Sequence, residues 1–215
     1  MQTFLLQIAK LLFLLLLPFV ALIRGSVFFH EQYHLNGWMA LLGGVGVSAM
    51  IIFIYMVYWQ GSMAGKLGTA RSLRRRYWLS VSLVLVYCFP GLLYLSATNA
   101  KHEEVRSEYH SLHPILRLGI STLVFLDQDL LLTDANRFPD DYRRMGLATK
   151  SHSLHYRQRS GFAHAVDIRT IGHHELRNRL VETYFRIMGF RTLRHVGTAD
   201  HLHVSLMSHD RPGGI

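Results

Sequence analysis

Near the end of this 215-residue chain, histidines and carboxylates recur at spacings that suit a metal centre. His201 and His203 alternate in an expected strand, so both side chains point to one face. Asp167 follows the short run Ala163–Val166, where a carboxylate would face the edge of a sheet. Ser153-Leu154-His155 lies in a loop able to bring another imidazole to the same place. Two imidazoles and a carboxylate from separate segments can hold Zn²⁺ and leave a fourth position open for water, the pattern of a catalytic zinc rather than a closed structural one. Such a metal lowers the pKa of its water and polarises a carbonyl, and a nearby base must carry the proton to the leaving group. Asp200 is the adjacent candidate base. It stands an odd number of residues from His203, so a regular strand turns it away and a bend at Ala199-Asp200 is required. His201 is the alternative base. His164, three residues before Asp167, is the alternative first ligand, although on a strand the two would point to opposite faces.

These residues need a framework, and the chain divides in two to supply it. Residues 1–98 form an expected membrane anchor and residues 99–215 a separate domain. Three apolar runs, roughly 4–23, 38–59 and 78–97, reach the length of about 20 residues needed to cross a bilayer. The first carries no charge before Lys10 and is long for a signal peptide, so a retained anchor is expected. Pro18, Pro90 and Gly91 fall within spans, where helices tolerate them. Trp38, Trp59 and Trp78 mark span ends as an interfacial aromatic belt does. The glycines at 43, 44 and 46 and the pair Gly61 and Gly65 are small-residue signals for helix contact, and an oligomer through the spans is compatible with them.

Charge fixes an expected orientation. Residues 1–98 hold seven Lys/Arg and one acid, whereas residues 99–215 hold sixteen Lys/Arg and thirteen acids. Five of the bases, Lys66, Arg71, Arg74, Arg75 and Arg76, fall in an expected loop at 60–77. The positive-inside rule places that loop and the N-terminus in the cytoplasm, and the 25–36 loop and everything after the third span outside. His30, Glu31 and His34 are then exposed residues of the outer loop. In a bacterium, the C-terminal domain lies in the periplasm beyond the inner membrane. The pI near 10 has this topological source, so no nucleic-acid partner is expected. The single cysteine, Cys88, forms no internal disulfide and reads as a small core residue.

The domain reads as α+β, with a small antiparallel sheet and helices at one side. Residues 101–108 suggest a stalk or first helical turn, and helical spacing follows from Tyr109 to Phe125. Strands are expected at 130–133 and 163–168, and a hairpin at 191–196 and 201–206 turning at Gly197-Thr198. Residues 138–150 are polar and turn-rich. Between them, 172–188 is a helix with Leu176, Leu180, Tyr184 and Met188 on one face, extended by Val181, Phe185 and Ile187, and Gly189 as its C-cap. His173 and His174 fall in its expected first turn. His102, His110, His113, His152, His195 and His209 read as polar surface or loop residues.

The order Ser-x-His, a small-residue stretch ending in Asp, then an acid three residues before a final His resembles the LAS metallopeptidases. The similar branch is that of D-Ala-D-Ala carboxypeptidases and phage L-alanyl-D-glutamate endopeptidases, over roughly residues 130–206. The resemblance implies Zn²⁺ held by His155, Asp167 and His203, with Asp200 as acid/base, or His201 as in other branches. It also implies that Arg137, in the segment Thr133-Asp134-Ala135-Asn136-Arg137, stabilises the substrate carbonyl as it becomes an oxyanion. Family members usually have six residues between the first His and the Asp; here there are eleven, Tyr156 to Val166. The expected function is a membrane-anchored zinc peptidase acting on peptidoglycan stem peptides. The alternatives are a non-catalytic zinc- or wall-peptide-binding or regulatory membrane protein, and a holin-like lysis protein. The spans carry almost no charge to line a pore, which argues against the last.

Overall fold

A computed structural model of the chain describes residues 2–65, 67–144, 146, 148, 151–197 and 200–214. Lys66 and the turn residues Thr198 and Ala199 lie outside the described residues. Three long helices open the fold: α1 (Gln2–Tyr33), α2 (Gly37–Ala64) and α3 (Ala70–Leu93). All three are long and apolar enough to span a membrane. They run further than the apolar runs alone indicate. α1 continues through residues 25–33, so the expected outer loop shrinks to 34–36, with His34 in the left-handed region at φ 54°. Asn36 caps α2 by accepting the Met39 amide, and Thr69 caps α3. Arg71, Arg74, Arg75 and Arg76 therefore sit in the first turns of α3 rather than in a loop.

Small residues let α1 and α2 meet closely. A Cβ on Gly44 would collide with Ser26 and the backbone carbonyl of Leu22, and a Cβ on Gly25 would touch Gly44 Cα at 3.5 Å. Ser26 Oγ donates to Leu22 O and Ser48 Oγ to Pro18 O, so neither buried hydroxyl is left unpaired.

The remaining chain packs directly onto the end of this bundle. Of the two readings of residues 101–108, the helical one holds: α4 (Glu103–Glu108) buries Val105, and a 3₁₀ turn buries Tyr109. α5 (Pro114–Leu126), with Pro114 in its first turn, is buried on nearly all sides between bundle and domain. The last carbonyls of α3, which lack helical partners, are satisfied from the domain. The Tyr109 hydroxyl lies 2.6 Å from Gly91 O, and Arg117 Nη1 donates to Leu92 O at 2.6 Å. A cation at a helix C-terminus also suits its dipole.

The sheet has the order β1-β2-β4-β3, every neighbouring pair antiparallel: β1 (Leu132–Asp134), β2 (Ala165–Arg169), β3 (Arg191–His195) and β4 (His201–Ser205). Val166, Ile168, Leu202 and Val204 form its apolar face. α6 (Pro139–Arg144) follows β1, and α7 (Glu175–Met188) connects β2 to β3. α7 starts later than its periodicity indicates: His174 is its N-cap, accepting the Leu176 amide, and His173 precedes it. Its buried face is Asn178, Val181, Phe185 and Met188, while Leu176, Leu180 and Ile187 point away. The helix thus carries two apolar stripes, and spacing does not say which of them meets the sheet.

Candidate metal centre

Sheet register builds the centre. Asp167 on β2 is directly opposite His203 on β4, and His201 is opposite Arg169. Residues opposite one another or diagonal across an antiparallel pair share a face, which brings both histidines to the Asp167 side. The third member comes from the loop after α6. His155 O accepts the Arg137 amide at 3.1 Å, Leu154 O accepts the His164 amide at 2.8 Å, and Ser153 Oγ accepts the His155 amide. Ser153 Oγ is itself 2.7 Å from the Tyr142 hydroxyl, which anchors the loop to α6.

The result is a tight convergence. His203 Nδ1 lies 2.9 Å from Asp167 Oδ1, His155 Nε2 lies 3.3 Å from the same oxygen, and the two imidazole nitrogens are 3.2 Å apart. All three residues are buried, at 2%, 3% and 6% exposure for His155, Asp167 and His203. A tetrahedral ion with bonds of about 2.0–2.1 Å separates its ligand atoms by about 3.3 Å. Two edges of the triangle, at 3.2 and 3.3 Å, match that spacing and the third, at 2.9 Å, is shorter; the two nitrogens and one carboxylate oxygen form a donor set that can hold a metal ion. Two of the three ligands are supported from behind: His155 Nδ1 faces Ala135 O at 3.4 Å, and Asp167 Oδ2 accepts from Arg137 at 2.6 Å, whereas His203 Nε2 is buried without a hydrogen-bond partner among the described residues.

Electrostatics prepare the ligands. Burial pushes the Asp167 carboxyl up, but His155, His203 and Arg137 together outweigh it and hold the group well below the ordinary carboxylate range. Burial lowers His203 despite its bond to Asp167, which favours the neutral ring. An ionised carboxylate and a neutral imidazole are the forms that bind metal. Burial disfavours charge on Arg137, yet Asp134 and Asp167 more than compensate and raise it. Arg137 Nε donates to Asp134 at 2.5 Å. Asp134, three residues before Arg137, was not legible as a site residue, because only the fold sets it against the Arg137 guanidinium that also binds Asp167.

The other expected residues separate. His201 is partly exposed, with Nε2 3.8 Å from Asp167 Oδ2. Asp200 accepts from Arg194 through both oxygens, at 2.8 and 3.0 Å, and from Thr170 at 2.7 Å. Arg194 is paired with Leu202, so it holds Asp200 toward the α7 face, away from the centre. His164 faces Met207 O at 3.2 Å and Ser160 Oγ at 3.3 Å. It joins a separate histidine group, with His113 4.6 Å and His30 5.7 Å away between ring centres. His30 is therefore a buried residue of α1, and His113 is fully buried rather than a surface residue. The extra residues after His155 carry Phe162 to within 6.4 Å of Trp38 at the start of α2.

Comparison of the chain with protein-family models, with curated proteins and with solved structures gave no match.

Proposed function

We propose that the protein is a membrane-anchored zinc peptidase that hydrolyses peptide bonds in peptidoglycan stem peptides. The observation that carries this reading is the convergence of His155 Nε2, Asp167 Oδ1 and His203 Nδ1 to within 2.9–3.3 Å of one another from three separated segments. A zinc ion bound there supplies a Lewis acid and an activated water. The chain's own residues supply the rest. His201, partly exposed on the same face, takes and returns the proton. Asp200, bound by Arg194 and Thr170, serves the hairpin instead. Arg137 keeps Asp167 ionised through Nη2, and its Nη1, which donates to the Tyr142 hydroxyl at 3.4 Å, has a second N–H for a substrate carbonyl.

Location supports the substrate class. The Arg71–Arg76 cluster sits at the opposite end of α3 from the residues that dock the domain. With that cluster in the cytoplasm, the domain faces the cell wall from the outer side of the plasma membrane.

One observation favours a second reading. All three ligands are almost completely buried, as in a closed structural site, so a non-catalytic metal-holding domain is the alternative. Zinc content and hydrolysis of stem peptides by the full chain in detergent separate the two. One zinc per chain with hydrolysis supports the peptidase. One zinc without hydrolysis selects the binding domain, and no zinc overturns both.

A further inference from the structure

We propose that the outer edge formed by α5 and α7 is inserted in the bilayer leaflet on the domain's side, so that the domain lies in the membrane surface rather than above it. The proposal rests on the membrane reading of α1–α3 and not on the metal.

The depth of the contacts carries it. Tyr87 lies eleven residues beyond Arg76, about 16 Å along the helix at 1.5 Å per residue. With the Arg71–Arg76 cluster among the headgroups of one leaflet, Tyr87 is near the middle of a hydrocarbon core about 30 Å thick. Its ring packs on Phe19 of α1, four residues before the end of the first apolar run. Yet the Tyr87 hydroxyl donates to Thr122 of α5 at 2.7 Å, and a Cβ on Gly91 would strike Ser121. α5 therefore descends beside α3 below the level where the bundle ends. α7 follows it: the Tyr184 hydroxyl donates to Gly119 O at 2.8 Å, and the C-cap Gly189 lies against Arg24 and Val27 of α1. At φ 100° and in that close contact, residue 189 must be glycine.

What these elements turn outward is apolar. Phe125 and Leu126 end α5, and Leu176, Leu180 and Ile187 form the second stripe of α7; each is more than half exposed. The Arg177–Asp127 ion pair at 2.8 Å draws the two groups together. Arg177, Arg179 and Arg186 flank the stripe, each ion-paired with an acid (Asp127, Glu175 and Glu182), and long basic side chains of this kind reach the headgroup level while their stems stay in the acyl boundary. An apolar stripe flanked by arginines is the composition of a helix lying 5–10 Å into the headgroup–acyl boundary. In water the same surface is an exposed apolar patch without a partner. Continuity with the lipid-facing surface of α1 and α3 makes the leaflet its occupant.

The test uses the full chain in vesicles of phosphatidylethanolamine and phosphatidylglycerol. Nitroxide labels are placed in a Cys88→Ala background at Phe125→Cys, Leu180→Cys and Val196→Cys, and their access to oxygen and to a water-soluble nickel chelate is measured. Val196, 82% exposed near the far hairpin turn, is the aqueous control. Labels at 125 and 180 should be oxygen-rich and about threefold or more shielded from nickel relative to 196, as expected for a helix in the boundary region. Nickel access equal to that at 196 overturns the proposal. Shielding from both reagents also overturns it, because a second protein copy would then cover the face. None of these readouts depends on zinc or hydrolysis, so failure here and failure of the peptidase reading are distinct results.

Discussion

Asp167 and His203 stand directly opposite each other on β2 and β4, and this register places Asp167 Oδ1 2.9 Å from His203 Nδ1. A slip of one residue would turn one of them to the apolar face and dismantle the centre. Because Asp167 also binds Arg137 and approaches His155, one carboxylate holds three elements together. Replacing it by Asn-type neutrality leaves a buried guanidinium half-paired. Asp167→Asn should abolish metal binding and destabilise the domain by about 3–5 kcal/mol, the range for breaking a buried ion pair. Metal content and thermal unfolding in detergent check both halves.

The two base candidates lie on opposite sides of the sheet, which makes them separable. His201→Gln should keep the metal and reduce turnover by about 10²–10⁴-fold, the range for a lost general acid–base. Asp200→Asn should keep the metal and most of the turnover while loosening the hairpin that Arg194 and Thr170 secure. Turnover on stem peptides and metal content, measured on both variants, decide the assignment; equal losses in the two would refute it.

The histidines between domain and anchor predict acid sensitivity. Burial, reinforced by His30, lowers His164 to about 4, and burial with His164 nearby pushes His113 well below its ordinary value. Each is neutral when folded and gains a proton more readily when unfolded. Their contribution is therefore intact above the ordinary imidazole value near 6.5 and is lost as pH falls from there toward about 4. For His164 the loss is on the order of 3 kcal/mol. His164→Gln should flatten the dependence of the melting temperature over that window. An unchanged slope would show that other groups set it.

Helix contact predicts an asymmetry between neighbouring glycines. A Cβ at Gly44 meets backbone of α1, while one at Gly46 meets nothing within 4 Å. Gly44→Ala should cost about 1–3 kcal/mol, as overpacking does, and Gly46→Ala should be near neutral. Melting temperatures of the two variants in one detergent give the comparison.

Much of the fold was legible because it rests on local signals. The three apolar runs are long enough to be spans, His201, Leu202, His203 and Val204 alternate polar and apolar along one hairpin strand, and Gly189 stops α7. Helix ends were less legible: residues 25–33 lack the apolar density of a span, yet docking against the domain keeps them helical, with His30 Nε2 3.1 Å from Met207 O. His113 and Leu180 show the same limit in opposite directions. A polar residue before Pro114 is fully buried, and an apolar residue at helical spacing is exposed. Neither outcome is encoded in nearest neighbours.

By itself the sequence determined the inventory: three segments able to span a membrane, a basic cluster at one end, and histidines and carboxylates with the donor atoms a metal needs. Residue type and local period suffice for these because they depend on few positions. Only the tertiary structure decided which donors meet. Register chose His203 and Asp167, the loop stitched to Ala135–Arg137 chose His155, and packing against α1 and α5 drew His164 into another group. It also turned Asp200 toward Arg194 and gave α7 an unburied apolar stripe. Contacts between distant segments are set by the whole packed arrangement, which no single stretch of chain specifies.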